Sequence, residues 1–177
     1  MPDFYERLKP WLFSQVAEEL RYANCILDLG CGDCKLLRWL AETYGKNTIG
    51  VDISDLGFPP AREGISCLRG DAQSLDFIGK GAIDAVLLFW SLHEMGDPLA
   101  VLQEARRVLH PLGEVLIIEF PRGSLAQKLW NETYYSVGEV ANMLRETGFW
   151  RSEVRLIVHR QLIWAKGFKG PRPKGVK

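Results

Sequence analysis

The chain has 177 residues, 47% of them hydrophobic, and its 22 lysines and arginines balance 22 aspartates and glutamates. That length fills one substantial core and is short for two full-sized domains. The cancelled charge argues against a global field that would gather nucleic acid or an anionic membrane, and it favours small or neutral partners.

No apolar run reaches the roughly 18 residues a bilayer span needs, and Met1-Pro2-Asp3-Phe4 lacks a charged segment followed by an apolar stretch. A cytoplasmic protein without membrane association is therefore expected.

Phe4, Leu8, Trp11, Leu12, Val16 and Leu20 fall at helical spacing, so residues 1–21 read as a covering amphipathic helix. Cys25 to Leu29 is a short apolar run ending in Gly30-Cys31-Gly32, which reads as a buried strand entering a tight turn. Asp33 is placed to cap the helix that follows, which runs to about Tyr44 and turns Leu36, Leu37, Trp39, Leu40 and Ala41 inward. Thr48–Asp52 is a second strand, Gly57 to Pro60 a loop, and Ser66–Arg69 a third strand ending in the turn Gly70-Asp71.

Ala82–Phe89 reads as the fourth strand, and Asp97-Pro98 opens a helix through Leu109. Gly113–Phe120 is the fifth strand. Ser136 and Glu139 form a capping box for a helix that Gly148 closes. Glu153–Val158 and Gln161–Phe168 then make a hairpin around His159-Arg160. Alternating strands and helices imply an α/β fold of parallel β-α-β units, closed by an antiparallel hairpin. One domain is expected over residues 1–168. Residues 169–177 carry four cations and no acid, and read as a disordered solubilising tail, with a nucleic-acid contact as the competing reading.

Cys25, Cys31, Cys34 and Cys67 are few for the length and read as reduced thiols. Cys31-Gly-Asp-Cys34 matches the C-x-x-C spacing of redox and metal sites, but no further cysteine pair or histidine pair completes a zinc shell, so no metal is expected.

In open α/β sheets ligands sit beyond the carboxyl ends of the strands, where the strand order reverses. Gly30 and Gly32 let the backbone approach a ligand there, where a Cβ would collide. Asp52, ending the second strand, suits two vicinal ribose hydroxyls, and Asp71, ending the third, is placed to meet an adenine edge. Asp28, Gly30, Gly32 and Asp52 are specific as a set, whereas an aspartate ending a strand is by itself a common turn former. A nicotinamide cofactor would require a third glycine in Gly-x-Gly-x-x-Gly, and Lys35 stands at that position.

The segment Ile26-Leu-Asp-Leu-Gly-Cys-Gly32, followed in order by Asp52, Gly70-Asp71-Ala72 and Asp84 to Met95, resembles the motifs of class I S-adenosylmethionine-dependent methyltransferases. The likeness runs from about residue 20 to 168 and is nearest the group that holds the ubiquinone and menaquinone biosynthesis enzymes. It implies a Rossmann-like doubly wound sheet of seven strands ordered 3-2-1-4-5-7-6, with strand seven antiparallel. It also implies S-adenosylmethionine as cofactor and S-adenosylhomocysteine as product.

Position by position, the resemblance places Asp28, Gly30, Cys31 and Gly32 around the methionine part, Asp52 on the ribose, Ile53 against the adenine, Asp71 and Ala72 beside it, and Phe89 closing that side. Cys34 stands where a third glycine of Gly-x-Gly-x-Gly is common, and Pro111-Leu112-Gly113 replaces the usual Pro-Gly-Gly turn.

Methyl transfer from a sulfonium is an in-line displacement, and positioning alone supplies most of its catalysis. His93, with Glu94 beside it, is the candidate base or acceptor-orienting group, against the plainer reading that both tie down the following loop. Phe4, Tyr5, Trp11, Trp130, Tyr134 and Tyr135 are candidates for an aromatic lid, against the plainer reading as core. The Asn/Asp-Pro-Pro-aromatic block of amino-directed nucleic-acid methyltransferases is absent after the fourth strand, which turns the expectation toward a small-molecule acceptor and away from nucleic acid. Two rival readings stand beside methyl transfer: a non-catalytic cofactor-binding subunit, and an NAD(P)-dependent oxidoreductase. A protein partner or a homodimer stays open.

Overall fold

The computed structural model describes residues 2–171. Seven strands, β1 (Cys25–Leu29), β2 (Asn47–Asp52), β3 (Ile65–Arg69), β4 (Ile83–Phe89), β5 (Leu109–Glu119), β6 (Arg151–Ile157) and β7 (Leu162–Phe168), form one sheet in the order β3-β2-β1-β4-β5-β7-β6. Strands β1 to β5 pair in parallel, and β7 runs antiparallel to both β5 and β6. This is the expected doubly wound topology, with its strand order reversing beside β1. The helices are α1 (Pro2–Glu19), α2 (Lys35–Tyr44), α3 (Pro98–Val108), α4 (Leu125–Trp130) and α5 (Val137–Glu146).

The central strands are buried on both faces, which is why they read as continuous apolar runs. Side chains alternate across a strand, so Ala85, Leu87, Leu116 and Ile118 meet Leu12, Val16, Leu37 and Leu40 of α1 and α2. Val86, Leu88, Val115 and Ile117 meet Val101, Leu102, Val140 and Leu144 of α3 and α5 on the other face. Each valine, leucine and isoleucine among them contributes about 1.5 to 3 kcal/mol of burial.

Beyond shifts of one or two residues at strand and helix ends, four features differ from expectation. Strand β5 starts at Leu109, directly after α3, and the β4 pairing jumps from Leu109 to Glu114 across an irregularity at Pro111. Asp33 is not the cap of α2: Cys34 holds that position in a left-handed conformation with no side-chain bond, while Asp33 Oδ1 accepts the Lys35 N–H at 3.2 Å. The connection after β5 contains the short helix α4, capped by Ser124. The tail is anchored at its start, since the Lys169 N–H donates to the Gly113 carbonyl and Lys169 Nζ donates to the Leu109 carbonyl. Residues 172–177 of the expected disordered tail lie outside the described residues.

Among the described residues, no helix is long and apolar enough to cross a membrane.

Candidate cofactor and acceptor site

A crevice opens at the carboxyl ends of β1, β2, β3 and β4. One lobe, of about 300 Å³, is lined by Asp28, Gly30, Cys31, Gly32, Asp52, Phe89, Trp90 and Glu94, and is roofed by Lys9 and Phe13 of α1. An adjoining lobe, of about 200 Å³, shares Gly30, Asp52 and Glu94 and adds Ile53, Asp71, Ala72 and Met95. The nine residues proposed from sequence for the cofactor thus line these two adjoining lobes.

Local chemistry explains how each side chain comes to be there. Gly30 has φ +75°, and a Cβ on it would lie 2.5 Å from Ser91 Cβ, so only glycine lets β1 turn beside the end of β4. Ser91 Oγ donates to the Leu29 carbonyl and fixes the same junction. Asp52 Oδ2 accepts the Gly32 N–H at 2.9 Å and its Oδ1 accepts the Ser54 N–H, so this carboxylate shapes the glycine loop as well as facing the crevice. Asp71 Oδ1 accepts the Gln73 N–H in a turn.

Asp28 is buried, and its Oδ1 has no hydrogen-bond partner. Burial, reinforced by the Asp52 charge, pushes its carboxyl up to about 8. An orphaned carboxylate oxygen on the crevice wall is a seat for a cationic donor, which the ammonium of an amino-acid cofactor supplies. The donor set therefore fits S-adenosylmethionine: a carboxylate for the ammonium, a glycine turn for close approach and a second carboxylate at the neighbouring strand end.

His93 stands apart from this wall. Its Nδ1 lies 2.9 Å from both oxygens of Glu119, its Nε2 lies 3.4 Å from Glu132 and 3.9 Å from Glu94, and its side chain is 6% exposed. Burial alone would lower the imidazole pKa, but the bond and charge of Glu119, helped by Glu94 and Glu132, leave it raised. Glu94 faces both lobes; burial raises its own pKa against the pull of His93.

Sequence reasoning missed Glu119, the buried acid ending β5. The signal was a charge closing the apolar run Val115 to Ile118, one position before the expected strand end. It also missed Lys9 as a crevice wall. Of the aromatic candidates, Tyr5, Trp130 and Tyr134 join Trp90 and Phe120 in one cluster of edge-to-face and tilted rings. Trp11 and Phe4 are largely exposed, and Tyr135 packs on the opposite core. Asp84, quoted in a motif, lies away from the crevice and accepts the N–H groups of Asn24 and Cys25, pinning the start of β1.

The expectation of four reduced thiols is corrected. Cys34 is disulfide-bonded to Cys67, 33 positions away in sequence, while Cys25 and Cys31 are free. The approach was hidden because it crosses Gly50 of β2, the residue paired with Cys67, whose missing side chain leaves the space the sulfurs fill.

Residues 27–117, just over half the chain, match the methyltransferase domain family. The chain belongs to the class I S-adenosylmethionine-dependent methyltransferases. A demethylmenaquinone methyltransferase of Lactococcus lactis is 36% identical over 104 residues, covering 53% of this chain and 41% of the relative. The chain thus spans less than half the length of that enzyme. In fold it is similar to the Burkholderia thailandensis 1,6-didemethyltoxoflavin-N1-methyltransferase, solved with its substrate and S-adenosylhomocysteine, at a TM-score of 0.71 and 19% identity over 90% of this chain and 76% of that one. It is also similar to a Haloferax volcanii methyltransferase solved with the Trm112 methyltransferase activator, at a TM-score of 0.67 and 19% identity over 84% and 83%.

Proposed function

We propose that this methyltransferase transfers a methyl group from S-adenosylmethionine to a small-molecule acceptor. The unpaired, buried Asp28 oxygen beside the glycine turn carries the cofactor half of this reading. When bound, the cofactor supplies an electrophilic methyl on a good leaving group. Asp28, Gly30, Cys31 and Gly32 hold the methionine part, with ionised Asp28 accepting from the ammonium. Asp52 accepts from the ribose hydroxyls through lone pairs its backbone bonds leave free, and Ile53, Asp71 and Ala72 enclose the adenine, while Phe89, expected on that side, lines the other lobe.

The acceptor half rests on the lobe under α1. Phe13, Phe89 and Trp90 give it apolar aromatic walls, and Lys9 Nζ lies 5.5 Å from the Trp90 ring centre. Such walls suit a flat or apolar acceptor. The L. lactis relative is named for a quinone acceptor of that kind. His93, held by Glu119, and Glu94 orient the acceptor or take its proton. The 3.4 Å approach to Glu132 is what blocks the imidazole, so base action requires that carboxylate to swing aside.

A second reading, that the chain works with a protein partner, is favoured by the H. volcanii neighbour solved with an activator. Transfer of labelled methyl groups by the purified chain across quinols, phenols and amines tests both. Product from the chain alone supports the first. Product only after addition of a cell extract freed of small molecules supports the second, and no product in either arm refutes both.

A further inference from the structure

Three of the four cysteines converge behind the crevice wall. Cys31 Sγ lies 3.4 Å from Cys34 Sγ, which is bonded to Cys67. Two of the sulfurs occupy the space above Gly50, where an added Cβ would stand 2.7 Å from those of both Cys31 and Cys34. The bond ties the start of α2 and the end of the glycine loop to β3, an edge strand whose neighbour in the sheet is β2. The middle sulfur belongs to Cys34, which is 1% exposed, whereas Cys31 is half-buried and lines the crevice.

We propose that Cys31, Cys34 and Cys67 form an intramolecular thiol–disulfide relay whose portal is Cys31 on the crevice wall, so that the S-adenosyl ligand covers the portal and couples cofactor binding to the redox state of the chain. The inference rests on the reading of the crevice as the S-adenosyl site. In the exchange step the Cys31 thiol gives its proton to water and its sulfur attacks Cys34 Sγ. The Cys34–Cys67 bond breaks, and Cys67 Sγ leaves with the bonding pair and takes up a proton. No electrons are gained or lost.

The product bond is geometrically accessible: the Cys34 N–H donates to the Cys31 carbonyl at 3.0 Å, a turn that holds the two Cα atoms within about 7 Å, near the upper end of the span disulfides bridge. A dithiol reductant then attacks the Cys31 sulfur, becoming a disulfide itself while Cys31 and Cys34 return to thiols. Burial, then Asp28 and Asp52, push the Cys31 thiol up, which keeps the exchange slow and lets the staple persist. By linkage, a ligand that favours the stapled loop makes the staple harder to reduce, and the staple tightens the ligand by the same factor.

The test uses the full chain, oxidised with glutathione disulfide, quenched by acid and mapped by peptide mass spectrometry. A Cys34–Cys67 crosslink is expected, and its absence overturns the proposal. Reduction by dithiothreitol is then followed with and without saturating S-adenosylhomocysteine, in the wild type and in Cys31→Ser. Ligand and substitution should each slow loss of the crosslink several-fold; rates unchanged by both overturn the relay.

Calorimetry completes the test. S-adenosylhomocysteine should bind about fivefold or more weakly to the reduced wild type than to the oxidised one, with no such difference in Cys67→Ser. Equal affinity in the two wild-type forms overturns the coupling. No methyl acceptor is needed, and failure of S-adenosylhomocysteine to bind the oxidised chain at all marks failure of the cofactor reading instead.

Discussion

Asp28 concentrates the electrostatics of the site in one side chain. Its folded pKa, about 8, lies above the ordinary 3.8, so between those values the folded chain holds a proton that the unfolded chain has lost. Stability without ligand therefore falls as pH rises through that window. Thermal melts of the ligand-free protein should show this decline, and Asp28→Asn should flatten it. The ammonium of the ligand needs the ionised form, so affinity for S-adenosylhomocysteine should rise as pH climbs toward 8 in the wild type and stay level in Asp28→Asn.

At Asp52, substitution by alanine should weaken the same ligand by about 1 to 3 kcal/mol through lost hydrogen bonds, read by calorimetry. Unchanged affinity there would remove its ribose role. Glu119 holds His93 in a raised pKa, so Glu119→Gln should shift the acid limb of the pH–rate profile for methyl transfer to lower pH. An unmoved limb would leave His93 and Glu119 as a structural tie.

Among the elements, α5 is the one whose sequence most plainly states its limits. The Ser136 hydroxyl accepts the Glu139 N–H and the Glu139 carboxylate accepts the Ser136 N–H, bonds that together with Arg122 hold Glu139 down at about 2. Ser136→Ala should cost about 1 kcal/mol in denaturant unfolding, without touching the crevice.

The strands of the central sheet were legible because burial on both faces demands unbroken apolar runs. The glycine turn was legible because a positive φ at Gly30 excludes other residues. Helix α4 was not, since six residues span too few turns to display a period. The irregular start of β5 was hidden because Pro111 and Gly113 read locally as a turn, whereas pairing with β4 extends the strand back to Leu109. For the same reason the crevice was legible mainly in the wall that Asp28, Gly30, Gly32 and Asp52 form. Those residues sit at strand ends next to their motif, while Lys9, Glu119 and the Cys34–Cys67 bond come together only through the tertiary fold.

Over the whole molecule, the two cores on either side of the sheet are what make the crevice rigid. The side chains of Leu87 and Leu116, on adjacent strands β4 and β5, pack against the α1 and α2 side. Truncating Leu87 to alanine should remove about 2 to 5 kcal/mol of stability, seen as a lower unfolding midpoint.

The Tyr5 hydroxyl accepts the Ala126 N–H at 3.0 Å and donates to Gln161 Oε1, which also accepts the Leu125 N–H. One phenol thereby joins the opening helix to the short helix after β5 and the closing hairpin, both more than a hundred residues from it along the chain. Because that phenol is shared by three segments, a protease is expected to find the roof ajar before the sheet beneath it. Removing that single oxygen, as in Tyr5→Phe, loosens three strangers at once while the floor beneath them keeps its shape.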